Sequence, residues 1–302
     1  MLLASDRFRD ECGRRGYEIT TPDVNQILPV QQLLELVPQF DGSIIGDKPA
    51  NRRVFTAAKV GKLIVAVKWG VGVGDVDFVA CKDLGIPISN KPGIFGKEVS
   101  DNAIGYVVAL ARETFGIDQG VKACQWPKPR GMSLSEKSVA LVGFGDIGRN
   151  TAKRLLACEL NVIVYDPYFK PAPGLEVVQP AQRPARLPEA DFIVLTCALA
   201  PGERHLLNAT TLAQAKAGIR VVNVSRGPLI DEAALAAALA SGHVQSAALE
   251  VGEIEPMPAE SPLRDLGDRV LFGSHNAGNT NEAVTHTSLK AIELLHAFLQ
   301  RV

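Results

Sequence analysis

The chain is short of cysteine, of long apolar runs and of net charge, and each shortage removes a class of protein. Its five cysteines, Cys12, Cys81, Cys124, Cys158 and Cys197, are odd in number, widely separated and without a CxxC pair. A disulfide framework and a cysteine zinc site are therefore not expected, no metal is expected elsewhere, and each thiol reads as a small buried apolar group in a reducing cytoplasm. The longest apolar runs, such as Leu63–Val67 and Phe192–Leu195, are far shorter than the roughly 20 residues that span a bilayer. Asp6, Arg7, Arg9 and Asp10 follow the first apolar residues at once, unlike a secretory signal. Lys plus Arg total 32 and Asp plus Glu 33, so the charge of −1 argues against a nucleic-acid or anionic-membrane surface over the whole molecule.

What is present is an ordinary globular composition, with 46% hydrophobic and 22% charged residues over 302 positions. That length suits about two domains of roughly 150 residues. Short β-branched runs at 44–45, 63–67, 138–142, 161–165, 191–196, 220–224 and 247–251 alternate with segments of helical spacing. This rhythm is the mark of an α/β fold with parallel sheets. A long helix is expected from about Lys97 to Thr114, and the stretch Gln125–Ser133, with Pro127, Pro129 and Gly131, reads as a connection into a second unit. Residues 233–240 read as an alanine-rich helix. The segment Asn281–Gln300 carries apolar residues at Ala283, Val284, Leu289, Ile292, Leu295 and Phe298, the pattern of an amphipathic helix.

One loop carries a phosphate-binding pattern. Gly143-Phe144-Gly145-Asp146-Ile147-Gly148 follows the apolar run 138–142 and opens a helical segment, and a second strand ends at Asp166, 18 residues after Gly148. In such a βαβ unit the first glycine allows a tight turn, the second lets the backbone approach a pyrophosphate, and the third lets helix and strand pack closely. The N–H groups at the helix start then hold the anion. Asp166 would accept hydrogen bonds from the adenine-ribose hydroxyls and repel a 2′-phosphate, which selects NAD over NADP. The bland alternative makes Asp166 a turn residue before Pro167.

Three polar strings follow, each where a parallel strand should end and where ligand sites of open α/β sheets lie. They are Val222-Asn223-Val224-Ser225-Arg226-Gly227, leading to Asp231-Glu232-Ala233-Ala234-Leu235, then Leu249-Glu250-Val251-Gly252-Glu253-Ile254-Glu255-Pro256, then Gly273-Ser274-His275-Asn276-Ala277-Gly278-Asn279-Thr280. Together they offer an arginine, a carboxylate and a histidine. A 2-oxoacid needs a guanidinium fork for its carboxylate, and reduction of its ketone needs a proton donor near neutral pH. Taken singly, Arg226 reads equally as an ion-pair partner, Glu255 as a solvated loop residue and His275 as a core histidine. His205, His243, His286 and His296 lack such a setting and read as solvated or structural.

With these strings in order, and with Lys68-Trp69-Gly70-Val71-Gly72 and Gly85-Ile86-Pro87-Ile88-Ser89-Asn90 before them, the chain resembles the D-isomer-specific 2-hydroxyacid dehydrogenases, phosphoglycerate dehydrogenase-like in pattern. The resemblance covers nearly the whole chain. It implies two Rossmann-like domains with parallel sheets, an NAD-binding domain at 99–277 being inserted into a discontinuous substrate domain of 1–98 plus 278–302. It also implies oxidoreduction of a small D-2-hydroxy acid or 2-oxoacid, with Arg226 on the substrate carboxylate and carbonyl and a His275–Glu255 pair as general acid and base. Glu253 competes for the carboxylate role, but the proline after Glu255 matches the family pattern. NAD contacts are implied at Gly143, Gly145, Asp146, Ile147, Gly148, Asp166, Val224, Ser225, Glu250 and Gly278. The main-chain N–H groups of Val71 and Gly72 are implied to hold the substrate carboxylate, and a homodimer through the cofactor domain is implied. Lys68 has two readings, a cation facing a substrate anion or a solvated strand end.

The chain departs from the family pattern at several places. Glu250 stands where Asp, a residue that touches the nicotinamide carboxamide, is usual. Gly252 replaces a bulky aromatic, Ser100-Asp101 replaces Ala-Glu, and Asn276-Ala277-Gly278 replaces Ile-Gly-Gly. The first strand looks short, beginning at Leu2-Leu3-Ala4-Ser5, as if a residue or two were missing. An NAD(H)-sensing binding protein resembling the family's corepressors is the alternative of a different class, and formate oxidation, which the carboxylate at Glu255 argues against, is a third.

Overall fold

The computed structural model describes residues 6–22, 28–46, 49–72, 74, 76–90, 93–200 and 202–301. The chain divides into two compact units, Met1–Ile94 with Thr280–Val302, and Phe95–Asn279. The first-strand expectation at residues 2–5 lies outside the described residues.

The first unit runs α1 (Asp6–Arg14), α2 (Val30–Leu36), β1 (Gly42–Ile45), α3 (Arg52–Val60), β2 (Val65–Lys68), α4 (Phe78–Asp83) and β3 (Ile88–Ser89). Its strands form a parallel sheet in the order β1-β2-β3. All four residues of β2 are buried, as a strand covered on both faces requires. Helix α3 starts where it does because the Asn51 Oδ1 accepts the N–H groups of Arg53 and Val54 at 3.1 and 3.3 Å. Its apolar side, Val54, Phe55 and Ala58, packs with Leu63, Ala66 and Ile86. The C-terminal helix, Asn281–Leu299, is capped by the Thr280 hydroxyl and buries Ile292 against Phe8 and Cys12. Its His296 bonds the Tyr17 hydroxyl at 2.6 Å, and its Ser288 accepts the Trp69 indole N–H at 3.2 Å.

The second unit runs α5 (Gly96–Arg112), α6 (Thr114–Lys122), β4 (Ser138–Val142), α7 (Asp146–Ala157), β5 (Asn161–Tyr165), β6 (Gln179–Pro180), β7 (Phe192–Leu195), α8 (Ala209–Ala213), β8 (Ile219–Asn223), α9 (Glu232–Ala240), β9 (Val244–Leu249) and β10 (Val270–Phe272). Seven parallel strands lie in the order β10-β9-β8-β7-β4-β5-β6. From β4 the chain first builds outward through β5 and β6, then returns to build the other way through β7 to β10. The reversal between β4 and β7 is a topological switch point, the place where such sheets bind ligands. Two apolar layers cover the sheet, one around Ile193, Leu195 and Val221, the other around Leu141, Phe192, Val194 and Val222. Burial on both faces is why these strands are unbroken apolar runs rather than alternating ones.

The structure differs from the sequence reading in several details. The long helix stops at Arg112, because Glu113 sits in the left-handed region at φ 53° and starts the separate helix α6. The C-terminal helix ends at Leu299, one residue early. Cys124 is exposed, correcting its reading as buried, and Cys158 and Cys197 are half-buried. Asp231, which opens one of the polar strings, is the N-cap of α9 and accepts the Ala234 N–H at 3.0 Å. Asp231→Ala should cost about 1 kcal/mol in urea unfolding, and Asp231→Asn much less, because asparagine caps as well as aspartate. Equal losses would mean that the charge and not the cap is what stabilises.

Candidate active site

Every predicted site residue of the second unit lies just past the carboxyl end of a strand. The glycine loop follows β4, Asp166 follows β5, Val224 to Arg226 follow β8, Glu250 to Glu255 follow β9, and His275 to Gly278 follow β10. Main-chain bonds carry the sheet register beyond the strands themselves. Glu250 N–H donates to the Asn223 carbonyl at 2.9 Å, Gly273 N–H to Leu249 at 2.7 Å, and His275 N–H to the Glu250 carbonyl at 2.8 Å. The strings carrying arginine, glutamate and histidine are thus held in rank by β8, β9 and β10, three neighbouring strands.

The glycine loop is built as its chemistry requires. Gly143 has φ 96°, and a Cβ there would lie 2.6 Å from the Cys197 backbone. A Cβ on Gly148 would lie 2.1 Å from the Gly143 carbonyl oxygen, so helix and strand meet there at backbone distance. A Cβ on Gly145 would meet nothing within 4 Å. Helix α7 begins at Asp146 with no side-chain cap, which leaves its first-turn N–H groups aimed at the loop. Asp146 is exposed, its carboxylate lying against Gly96, while Ile147 is half-buried. The Thr196 hydroxyl fastens the loop from below through the Val142 and Gly143 carbonyls, both at 3.0 Å.

Asp166 accepts the Phe144 N–H at 2.6 Å and the Tyr168 N–H at 2.7 Å, which fixes its carboxylate beside the glycine loop. Each oxygen keeps a further acceptor site for a ribose hydroxyl. An open Gly145, an uncapped helix start and a carboxylate fixed beside them fit a dinucleotide. Cys197 lies next to Gly143, and burial pushes its thiol up to about 11.

Arg226 is half-buried, and its approach is set by a residue the sequence reading did not single out. Asn223, fully buried, accepts the Ser225 N–H at 3.0 Å and donates to the Arg226 carbonyl at 2.9 Å. Val224 and Ser225 are buried too, and the Ser225 hydroxyl donates to the Cys197 carbonyl. A Cβ on Gly227 would fall 1.8 Å from the Gly252 carbonyl oxygen, so only glycine lets the arginine loop abut the loop that carries Glu255.

Glu255 and His275 meet, with Oε2 and Nδ1 2.7 Å apart. Glu253 is engaged elsewhere, at 2.7 Å from both Arg204 and His205. Burial raises the Glu255 carboxyl, but the His275 hydrogen bond and charge, the Gly252 N–H and the Arg226 charge outweigh it and leave the group below the usual glutamate range. His275 itself has φ 58°, in the left-handed region that a non-glycine residue enters at a cost. Gly278 packs closely on Phe95, with a Cβ there 2.9 Å from the ring. Glu250 is 2% exposed and bonds Asn102, Tyr106, Asn276 and Ala277. Of the remaining histidines, His205 bonds Glu253 and His243 bonds the Leu212 carbonyl, both within the protein.

In the first unit, Lys68 closes β2 and is 2% exposed, with its ammonium donating to the Gly46 carbonyl at 3.0 Å. It is not a solvated strand end. Val71 and Gly72 follow in the adjoining loop, where the Val71 carbonyl accepts from Asn90 at 3.0 Å.

Comparison with known proteins gives the family. Residues 104–277 match the NAD binding domain of the D-isomer specific 2-hydroxyacid dehydrogenases. The hydroxypyruvate reductase of Thermotoga maritima is 32% identical over 270 residues, 88% of this chain and 87% of that one. The D-3-phosphoglycerate dehydrogenase of Methanocaldococcus jannaschii is 33% identical over 93% of this chain, which spans only 54% of that longer relative. The crystal structure of the TT0316 protein of Thermus thermophilus superimposes with a TM-score of 0.90 at 29% identity, over 97% of this chain and 94% of that one. The chain belongs to the D-isomer-specific 2-hydroxyacid dehydrogenases, and its fold, cofactor and reaction class are those of an NAD-dependent oxidoreductase.

Two neighbouring glycines separate folding from cofactor binding. Gly148→Ala forces a Cβ onto a backbone carbonyl and should cost about 1–3 kcal/mol and a few degrees of Tm, together with NADH affinity. Gly145→Ala should leave Tm unchanged and weaken NADH binding, read by fluorescence titration. Equal losses of Tm would mean the second glycine serves packing and not the cofactor.

Proposed function

We propose that the protein transfers hydride between NAD(H) and a small D-2-hydroxy acid or its 2-oxoacid, with Arg226, Glu255 and His275 as the reacting set. The observation that carries the proposal is the 2.7 Å Glu255–His275 contact, whose carboxylate also feels the charge of Arg226. The planar guanidinium of Arg226 takes the substrate carboxylate and carbonyl oxygens together, a fork that lysine does not provide. Glu255 takes Nδ1 of His275, orients the ring and favours its charged form, so the proton is exchanged at Nε2. When bound, NADH supplies the hydride to the carbonyl carbon. His275 gives its proton to the carbonyl oxygen, which becomes the hydroxyl, and in oxidation His275 takes that proton back. Asp166 accepts from the ribose hydroxyls and disfavours a 2′-phosphate, giving NADH over NADPH.

Relatives named hydroxypyruvate reductase and D-3-phosphoglycerate dehydrogenase weigh against the corepressor-like alternative. Among the described residues no helix is long and apolar enough to cross a membrane, and the free cysteines suit a reducing cytoplasm. A homodimer through the cofactor domain is supported by an exposed apolar group on α5, α6 and the segment after it. Val108, Phe115, Val121 and Trp126 are 37%, 50%, 43% and 75% exposed, and α6 has no buried residue.

A panel of small 2-oxoacids with NADH should show oxidation of the cofactor. His275→Ala should lower kcat by about 10² to 10⁴-fold. Arg226→Lys should lower kcat/KM by about 10- to 100-fold through loss of one charge-assisted bond. An unchanged rate in His275→Ala would sink the acid–base assignment.

The pH dependence has two parts. Reduction should fall on the alkaline side as His275 loses its proton while oxidation rises, and Glu255→Gln should move the alkaline loss to lower pH. Because the Glu255 carboxyl is depressed on folding, its stabilising contribution is present above the unfolded value and is lost only as pH falls through the lower folded value. The Tm difference between the wild type and Glu255→Gln should therefore persist from neutrality down to the ordinary glutamate range and vanish below it; a difference growing toward acid would reverse the sign. For the dimer, Trp126→Asp with Phe115→Asp should halve the mass in light scattering with Tm little changed, and an unaltered mass would remove this surface from the interface.

A further inference from the structure

Glu250, just past the carboxyl end of β9, is 2% exposed, and the protein engages both of its carboxylate oxygens. Its Oε1 accepts the N–H of Asn276 and, at 2.8 Å, that of Ala277. Its Oε2 accepts from the Asn102 amide at 3.1 Å and from the Tyr106 hydroxyl at 2.5 Å, both on α5. Its main-chain oxygen takes the His275 N–H at 2.8 Å. Two donors per carboxylate oxygen occupy the favourable in-plane positions and compensate the burial of the charge. The surroundings are shaped for this arrangement, since a Cβ on Gly273 would stand 2.1 Å from Oε2 and 2.6 Å from the Tyr106 hydroxyl oxygen.

The two loop residues so gripped directly follow His275, whose φ of 58° needs its neighbours to hold it. Main-chain donors at 275, 276 and 277 all end on this one glutamate, so a shift of Glu250 would turn the histidine loop. The side-chain length matters. An aspartate keeps the charge but falls one methylene short of serving the α5 donors and the loop N–H groups together.

We propose that Glu250 is a positioning residue for His275: it fastens the 275–277 loop to α5 and acts on proton transfer through the histidine, in place of contacting the cofactor. The effect on catalysis rests on His275 being the proton donor, as proposed above, whereas the fastening itself stands on geometry and is tested without cofactor or substrate.

The test compares Glu250→Gln, which keeps reach and an acceptor, with Glu250→Asp, which keeps charge and loses reach, and adds Tyr106→Phe as a milder variant that retains the fold. In cofactor-free protein, amide hydrogen exchange at Asn276 and Ala277 should quicken at least tenfold in Glu250→Asp, with a smaller change in Glu250→Gln and Tyr106→Phe. NADH affinity, read by fluorescence titration, should change less than twofold in all three. The kcat for 2-oxoacid reduction should fall at least tenfold in Glu250→Asp and less in Glu250→Gln, and KM for NADH should not move. An NADH affinity lost tenfold with exchange at 276 and 277 unchanged, or an aspartate variant as active as the wild type, would overturn the proposal. A wild-type protein inert toward every 2-oxoacid would defeat the catalytic reading instead, and exchange at 276 and 277 would still decide whether Glu250 fastens the loop.

Discussion

The main-chain hydrogen bonds of a parallel sheet normally stop with its strands, yet here they run on past the carboxyl ends of β8, β9 and β10, and the loops of Arg226, Glu255 and His275 hang from that extension. Glu250 N–H reaches the Asn223 carbonyl, Gly273 N–H reaches Leu249, and His275 N–H reaches Glu250. Each bond fixes the start of a loop by the register of the strand before it. The arginine, glutamate and histidine therefore need not be placed by long, flexible connections, and a functional group carried on a rigid element keeps its geometry more closely than one on a free loop. The requirement on the sequence is correspondingly local: a Cβ at Gly227 would strike the Gly252 backbone, and one at Gly273 would displace the Glu250 carboxylate.

The carboxylates at this edge differ in what they touch. Glu255 is partly open and shares a hydrogen bond with His275, so its ionisation is linked to the proton that the histidine carries. Glu250 is closed off and spends its lone pairs on the protein. Glu253 takes Arg204 and His205. Three glutamates within six residues thus have three separate environments, and of their carboxylates the one that meets the His275 ring is Glu255.

Much of this was legible in the sequence where the information is contiguous. The glycine loop and Asp166 sit in one βαβ unit, so spacing alone carries the cofactor reading. Arg226, Glu255 and His275 each stand in a polar string at a strand end, and family order ranks them together. What could not be read are contacts between distant segments. Tyr106 meets Glu250 across 144 positions, and nothing in a helical pattern marks it for that partner. Asn223 ends the apolar strand β8, and a polar residue in that place is the signal for its role. Lys68 carried two readings because a lysine after a strand is ordinarily solvated, and only its burial against the Gly46 carbonyl excludes that one.

In the proposed reaction Glu255 acts through His275 and by no independent route. A double-mutant cycle on kcat/KM for 2-oxoacid reduction measures this directly, using His275→Ala, Glu255→Gln and the pair. The double variant should be no slower than His275→Ala alone, within a factor of about two. Losses that multiply would show two separate contributions and contradict it.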